Sequence, residues 1–62
     1  MRLLLTKPDA AAALDISLRQ LELYIRRGDI EVRRLGRRCV RIEPTELDRF
    51  VEKQPKVDHQ PV

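Results

Sequence analysis

The chain has 62 residues and a formal net charge of +3 at pH 7, and a folded chain of this length buries only about 60% of the surface that it exposes when unfolded. We therefore expect one small domain, without room for a catalytic cleft enclosed on all sides. Hydrophobic residues make up 42% of the sequence and aromatic residues 3%, a composition that predicts an aliphatic core and excludes a wholly disordered chain.

The N-terminal part is predicted to hold a short extended segment followed by a helix. Residues 3–5 form an apolar run that is too brief for a helix. Thr6, with Asp9 three residues later, is typical of a helix N-cap, so we expect a first helix over residues 7–14. Asp15 is expected to end this helix, because aspartate tolerates a left-handed backbone better than most residues.

A second helix is predicted after a turn of about three residues. Ser17 and Gln20 have the spacing of a capping box, and Gly28 is a typical stop, so the helix is expected over residues 18–27. At helical spacing, one face is apolar and predicted to be core: Leu21, Tyr24 and Ile25. The opposite face carries Arg19, Glu22, Leu23 and Arg26.

The next segment predicts an antiparallel hairpin over residues 30–42, with a turn around Gly36. Val32, Val40 and Ile42 are expected to face inward, with arginines outside and at the tip. A third helix is predicted to start at Glu43 or Pro44, with a buried stripe of Leu47, Phe50 and Val51. We expect the domain to span residues 1–53 and the proline-containing tail, residues 54–62, to be disordered.

Two helices joined by a tight turn, then a basic hairpin and a closing helix, indicate a winged helix-turn-helix. The fold class is mainly α with a small β-hairpin wing (α+β). In such a fold the second helix fits the major groove of DNA, where side chains near its N terminus reach base edges. Arginines at a hairpin tip reach the adjacent minor groove, whose negative potential attracts them.

The positive charge is concentrated where this architecture needs it. Residues 18–41 contain eight arginines and three acidic residues, a net charge of +5, which leaves −2 for the rest of the chain. Arginine matches phosphates and guanine edges better than lysine does. The candidate DNA contacts are Ser17, Arg19, Gln20, Leu23 and Arg26 in the recognition helix, and Arg33, Arg34, Arg37, Arg38 and Arg41 in the wing.

Structural explanations compete with these assignments. The helix face is also compatible with a solvated surface that carries an ion pair from Glu22 to Arg26 at i, i+4 spacing, and Gln20 with a purely capping role. Protection of an edge strand from aggregation would account for two of the wing arginines, but not readily for all five together. An adaptor whose arginines bind an acidic protein is a more distant alternative.

Other functional classes are disfavoured. Cys39 is the only cysteine, so no internal disulfide is expected and a reducing, cytoplasmic setting is favoured. We expect no metal or other cofactor, and no enzymatic activity, because the single histidine, His59, lies in the tail and the carboxylates are scattered at helix ends. The short N-terminal apolar run disfavours export and membrane insertion.

A family resemblance extends over nearly the whole chain up to Lys53. The residues that carry it are the leucine-threonine opening with its alanine-rich first helix, the Ile16-Ser17 turn, Ile25 with the basic pair and Gly28-Asp29-Ile30 that follow it, the Leu35-Gly36-Arg37-Arg38 wing, and the closing helix from Pro44 to Val51. In this pattern the chain resembles the excisionase family of small winged-helix proteins, relatives of the MerR-type DNA-binding domain.

The resemblance implies a non-enzymatic recombination directionality factor of a phage or integrative element. Such a protein would bind double-stranded DNA at attachment sites as several cooperative copies, bend the DNA and help a tyrosine integrase to excise the element, without a small-molecule ligand. Arg19, Gln20, Leu23 and Arg26 match the recognition helix of the family, and Arg37 and Arg38 match its wing. Asp15 replaces a common turn glycine, and Leu18, Glu22 and Leu23 stand at positions that are often polar or basic, so a base preference is not transferred.

A small transcriptional regulator with the same fold, a phage repressor or activator, is the competing function. The chain shows no effector or long dimerisation helix after residue 53, which is expected to disfavour a MerR-like regulator with its own sensor. A simple repressor stays open.

Overall fold

The computed structural model describes residues 3–57. Its elements, in chain order, are the helices α1 (Lys7–Leu14) and α2 (Leu18–Arg26), the strands β1 (Arg33–Arg34) and β2 (Val40–Arg41), and the helix α3 (Pro44–Glu52). Three helices with a two-stranded antiparallel hairpin form a small α+β winged helix-turn-helix, which confirms the predicted fold class. Within residues 3–57 no helix has the length and apolar character that crossing a membrane requires.

Local capping sets where α1 and α2 begin and where α1 ends. Thr6 Oγ1 accepts a hydrogen bond from the Asp9 N–H at 3.2 Å, and Ser17 Oγ accepts one from the Gln20 N–H at 3.0 Å. Asp15 ends α1 with φ 57° and ψ 44°, the left-handed conformation that was predicted for it. The bounds of α1 match the prediction, and α2 ends one residue earlier than predicted.

The core lies between the three helices and the base of the hairpin. Its buried residues are Ala10, Ala11, Leu21, Ile30, Ile42, Leu47 and Phe50. The alanines allow α1 and α2 to approach closely, while Tyr24 and Ile25 pack partly buried against this core. The rings of Tyr24 and Phe50 have centroids 4.7 Å apart, and this aromatic contact joins α2 to α3.

Val51 corrects the prediction of a three-residue buried stripe on α3, because its side chain is 53% exposed. Phe50 and Val51 lie on opposite sides of Leu47 around the helix axis. The body of the domain packs against the Phe50 side. Val51 instead borders an open groove with Leu5 and Leu14, and none of the described elements covers that edge.

The wing is shorter than predicted and is anchored at its base. Each strand has two residues, with Arg33 opposite Arg41 and Arg34 opposite Val40. At the base, Leu5 and Ile42 form an antiparallel bridge whose two N–H···O distances are both 2.8 Å, so residues 3–5 supply an extended lead-in. Ile42 is buried and Val32 is packed partly buried against the core, which confirms the prediction for these two residues; Val40 is partly buried but does not belong to the core cluster.

The C-terminal tail was predicted to be disordered from residue 54. Residues 55–57 are exposed and have no regular secondary structure. Residues 58–62, with His59, lie outside the described residues, so the prediction for them stays a prediction.

Candidate nucleic-acid interface

The outer face of α2 brings together all of the recognition-helix candidates. One shallow surface depression is lined by Ser17, Arg19, Gln20, Glu22, Leu23 and Arg26. Ser17 is the N-cap of α2, and its hydrogen bond with the Gln20 N–H fixes its position. Leu23 is 37% exposed, which leaves an apolar contact available among the polar groups.

Three polar side chains of this face are available for an external partner. Glu22 does not form the ion pair with Arg26 that its spacing allows, and its carboxylate lies 3.9 Å from Lys7 Nζ instead. Arg19, Arg26 and the side-chain amide of Gln20 have no hydrogen-bonding or ionic partner among residues 3–57. Only the Ser17 half of the capping box forms, so capping does not occupy the Gln20 side chain.

In the wing, three arginines likewise have no hydrogen-bonding or ionic partner among residues 3–57. Arg37 and Arg38 lie in the exposed loop between the strands, which is closed by a 2.7 Å hydrogen bond from the Leu35 N–H to the Cys39 carbonyl. Arg34 is exposed on β1. Within the described part of the chain, none of the three has a partner for its guanidinium. A cluster of unpaired arginines at a hairpin tip is suited to a strongly negative partner.

The other two wing arginines make internal contacts. The Arg33 Nε donates to Glu43 Oε1 at 2.8 Å, and Arg41 donates to the Val40 carbonyl at 2.8 Å. The hydrogen bond and the negative charge of Glu43 raise the pKa of the Arg33 guanidinium above its ordinary value. Arg33 is thus paired with a carboxylate of the same molecule, although its side chain is 63% exposed.

Sequence reasoning missed the Arg33–Glu43 pair, although the hairpin register contains the signal for it. Directly opposite residues of an antiparallel pair share a face, and the diagonal neighbour two residues further along also lies on that face within reach of long side chains. Arg33 is opposite Arg41, so Glu43 is its diagonal neighbour. Arg34 shares the other face with Val40, away from this carboxylate.

Lys7 is a second residue that sequence reasoning missed, and it lies between the two arginine groups. Its Nζ is 3.9 Å from Glu22 on α2, and it also lines a hollow with Thr6, Pro8, Arg38, Val40 and Arg41. The N terminus of α1 thus adjoins both the recognition helix and the wing. The two groups are neighbouring parts of one basic surface.

Comparison with known proteins agrees with this geometry. A family model described as a helix-turn-helix domain matches residues 4–55, and this family includes excisionase-like DNA-binding proteins. Searches of curated proteins and of solved structures returned no match. The matched segment includes both helices of the turn, the wing and α3, and the family assignment indicates DNA binding. This chain belongs to the helix-turn-helix domain family.

Proposed function

We propose that this protein is a sequence-specific, DNA-bending excisionase, a recombination directionality factor that promotes integrase-mediated excision of a prophage or mobile element. One observation carries the DNA-binding part of the proposal. The outer face of α2 and the tip of the wing adjoin through Lys7 and present arginines that have no partner among residues 3–57. The excision role rests on the family resemblance of the sequence.

In the proposed complex, α2 lies in the major groove. Arg19 and Gln20 are near its N terminus, where recognition helices contact base edges, and both side chain types form bidentate pairs, arginine with guanine and glutamine with adenine. The exposed Leu23 is suited to the methyl group of a thymine. Arg26, one turn beyond Glu22, is proposed to contact a backbone phosphate.

The wing contributes affinity and bending. Arg34, Arg37 and Arg38 are proposed to reach the adjacent minor groove, where narrow A·T-rich segments concentrate negative potential. A protein that contacts the major and the minor groove within a short site binds best to duplexes that deform easily. In such duplexes the free-energy cost of bending the DNA is small. Several copies bound side by side would add these bends and bring distant integrase sites together, without any bond being broken by this protein.

A gel-shift titration tests the proposal. The probes are fragments from the attachment junctions of the element, circularly permuted to report bending, with a promoter fragment of the same length as comparison. Stepwise, cooperative and bent complexes on the junction alone are expected. A single unbent complex confined to the promoter would replace the excisionase with a small transcriptional regulator. Absence of a complex on either fragment at low salt would mean that the arginines bind a protein.

A further inference from the structure

Two glutamates at the start of α3 contact the first strand of the wing and the residues that lead into it. Glu43 Oε1 accepts a hydrogen bond from the Arg33 guanidinium at 2.8 Å. One helical turn later, Glu46 Oε2 accepts one from the Glu31 backbone N–H at 3.1 Å. The Glu43 and Glu46 side chains are only 16% and 12% exposed, so both carboxylates are held at the base of the wing.

The wing needs such an anchor because its own strands are very short. A two-stranded hairpin is marginally stable in water, and this one has two residues in each strand. Ile42 pairs with Leu5 and so fixes the base of the second strand. The first strand has no backbone neighbour on its outer edge among residues 3–57. Glu43 holds this strand through Arg33, and Glu46 holds Glu31, which leads into it. The buried Ile30 and the partly buried Val32 add apolar contacts between this lead-in and the core.

The glutamates also present an electrostatic puzzle. A carboxylate close to a DNA-binding surface repels phosphates and lowers affinity. Glu43 and Glu46 nevertheless lie beside the arginine-rich strand of the wing. An anchoring role accounts for this placement. The repulsion between these carboxylates and the phosphates weakens binding, but a wing that is ordered before DNA binds avoids the entropy cost of ordering on binding, which offsets this loss.

We propose that Arg33, Glu43 and Glu46 are positioning residues that preset the orientation of the wing, and that Arg33 acts as its anchor and not as a phosphate contact. This inference rests on the proposed DNA-binding function. Arg34, Arg37 and Arg38 then supply the wing contacts with DNA. The anchor makes opposite predictions from simple electrostatics, because removing the negative charge of Glu43 weakens binding instead of strengthening it.

The DNA test compares Glu43→Ala with the matched control Glu52→Ala. Glu52 is an exposed residue of α3, and its substitution removes the same charge. Affinity for the preferred duplex is measured by fluorescence anisotropy across a salt series. We expect Glu43→Ala to bind about threefold to tenfold more weakly, whereas Glu52→Ala binds equally or more tightly. Arg33→Ala should lose affinity without the fall of about 0.9 in salt slope that a lost phosphate contact causes. Tighter binding by Glu43→Ala, or a reduced slope for Arg33→Ala, would overturn the proposal.

Hydrogen exchange in the free protein separates the anchor from the DNA-binding function. The Leu35 N–H reports closure of the wing through its bond to Cys39, and the Ile42 N–H reports the base through its bond to Leu5. Glu43→Ala should speed exchange at Leu35 while Ile42 stays protected, which also shows that the variant is folded. Unchanged exchange at Leu35 would refute the anchor even if the wild type binds DNA. Failure of the wild type to bind DNA would refute the proposed function and leave the exchange result valid.

Discussion

Removal of the two arginines at the tip of the wing is the perturbation that most directly tests the DNA interface. Arg37 and Arg38 are exposed and have no internal partner among residues 3–57, so Arg37→Ala/Arg38→Ala should leave the fold intact. Each lost phosphate contact lowers the slope of log affinity against log salt by about 0.9. The double variant should therefore have a slope smaller by about 1.8. Between about 50 and 200 mM salt, the ratio of wild-type to variant affinity should then fall by about twelvefold.

The assay is a fluorescence anisotropy titration on one labelled duplex at four or five salt concentrations. Lys53→Ala/Lys56→Ala is the matched control, because it removes the same charge from exposed positions at the end of α3 and beyond it. We expect the control to keep a slope close to that of the wild type. Equal slopes for the wild type and the wing variant would remove the wing from the interface. An equal decrease in the control would show that net charge alone determines the effect.

Three further predictions concern the recognition helix, the turn and the core. Arg19→Ala should cost about 1–3 kcal/mol on the preferred duplex if its contact is bidentate, and equal losses on random DNA in the same titration would reduce Arg19 to a phosphate contact. In thermal denaturation, Asp15→Ala should lower the free energy of unfolding by about 1 kcal/mol, because alanine lacks the side chain that helps aspartate tolerate φ 57°. The control Asp15→Gly should not destabilise the protein. An Asp15→Ala variant as stable as the wild type would contradict this account. Ile42 is fully buried, so Ile42→Ala should lower the free energy of unfolding by about 2–5 kcal/mol, a large part of the stability of a small domain. An unchanged melting curve would show that the base of the wing is not part of the core.

The sequence predicts the helices well because their ends are determined locally. Thr6 and Ser17 each accept the N–H of the residue three positions later, and such caps depend only on neighbouring residues. Asp15 ends α1 in the predicted conformation for the same reason. The five recognition-helix candidates share one surface because a single amphipathic period, read from the sequence, also determines which residues face outward.

Features that depend on distant residues were harder to predict. Val51 belongs to the apolar period of α3, but its burial depends on which side of that helix the small body covers, and that side is the one of Phe50. The wing strands are shorter than their β-branched and alternating residues predict. Within residues 3–57 the sheet has two strands, and the lead-in adds one isolated bridge between Leu5 and Ile42. Both outcomes follow from the size of the domain and not from local propensity.

The two-residue period of a strand determines which wing arginines are paired within the protein and which are not. Arg33 and Arg34 are adjacent and chemically identical, yet the register puts Arg33 on the face of Arg41 and Glu43, and Arg34 on the face of Val40. A shift of one residue would exchange their surroundings and leave Arg33 unpaired on the face of Val40. The bridge between Leu5 and Ile42 and the buried side chain of Ile42 oppose such a shift. The same apolar contact that completes the core therefore decides which arginines remain available for DNA.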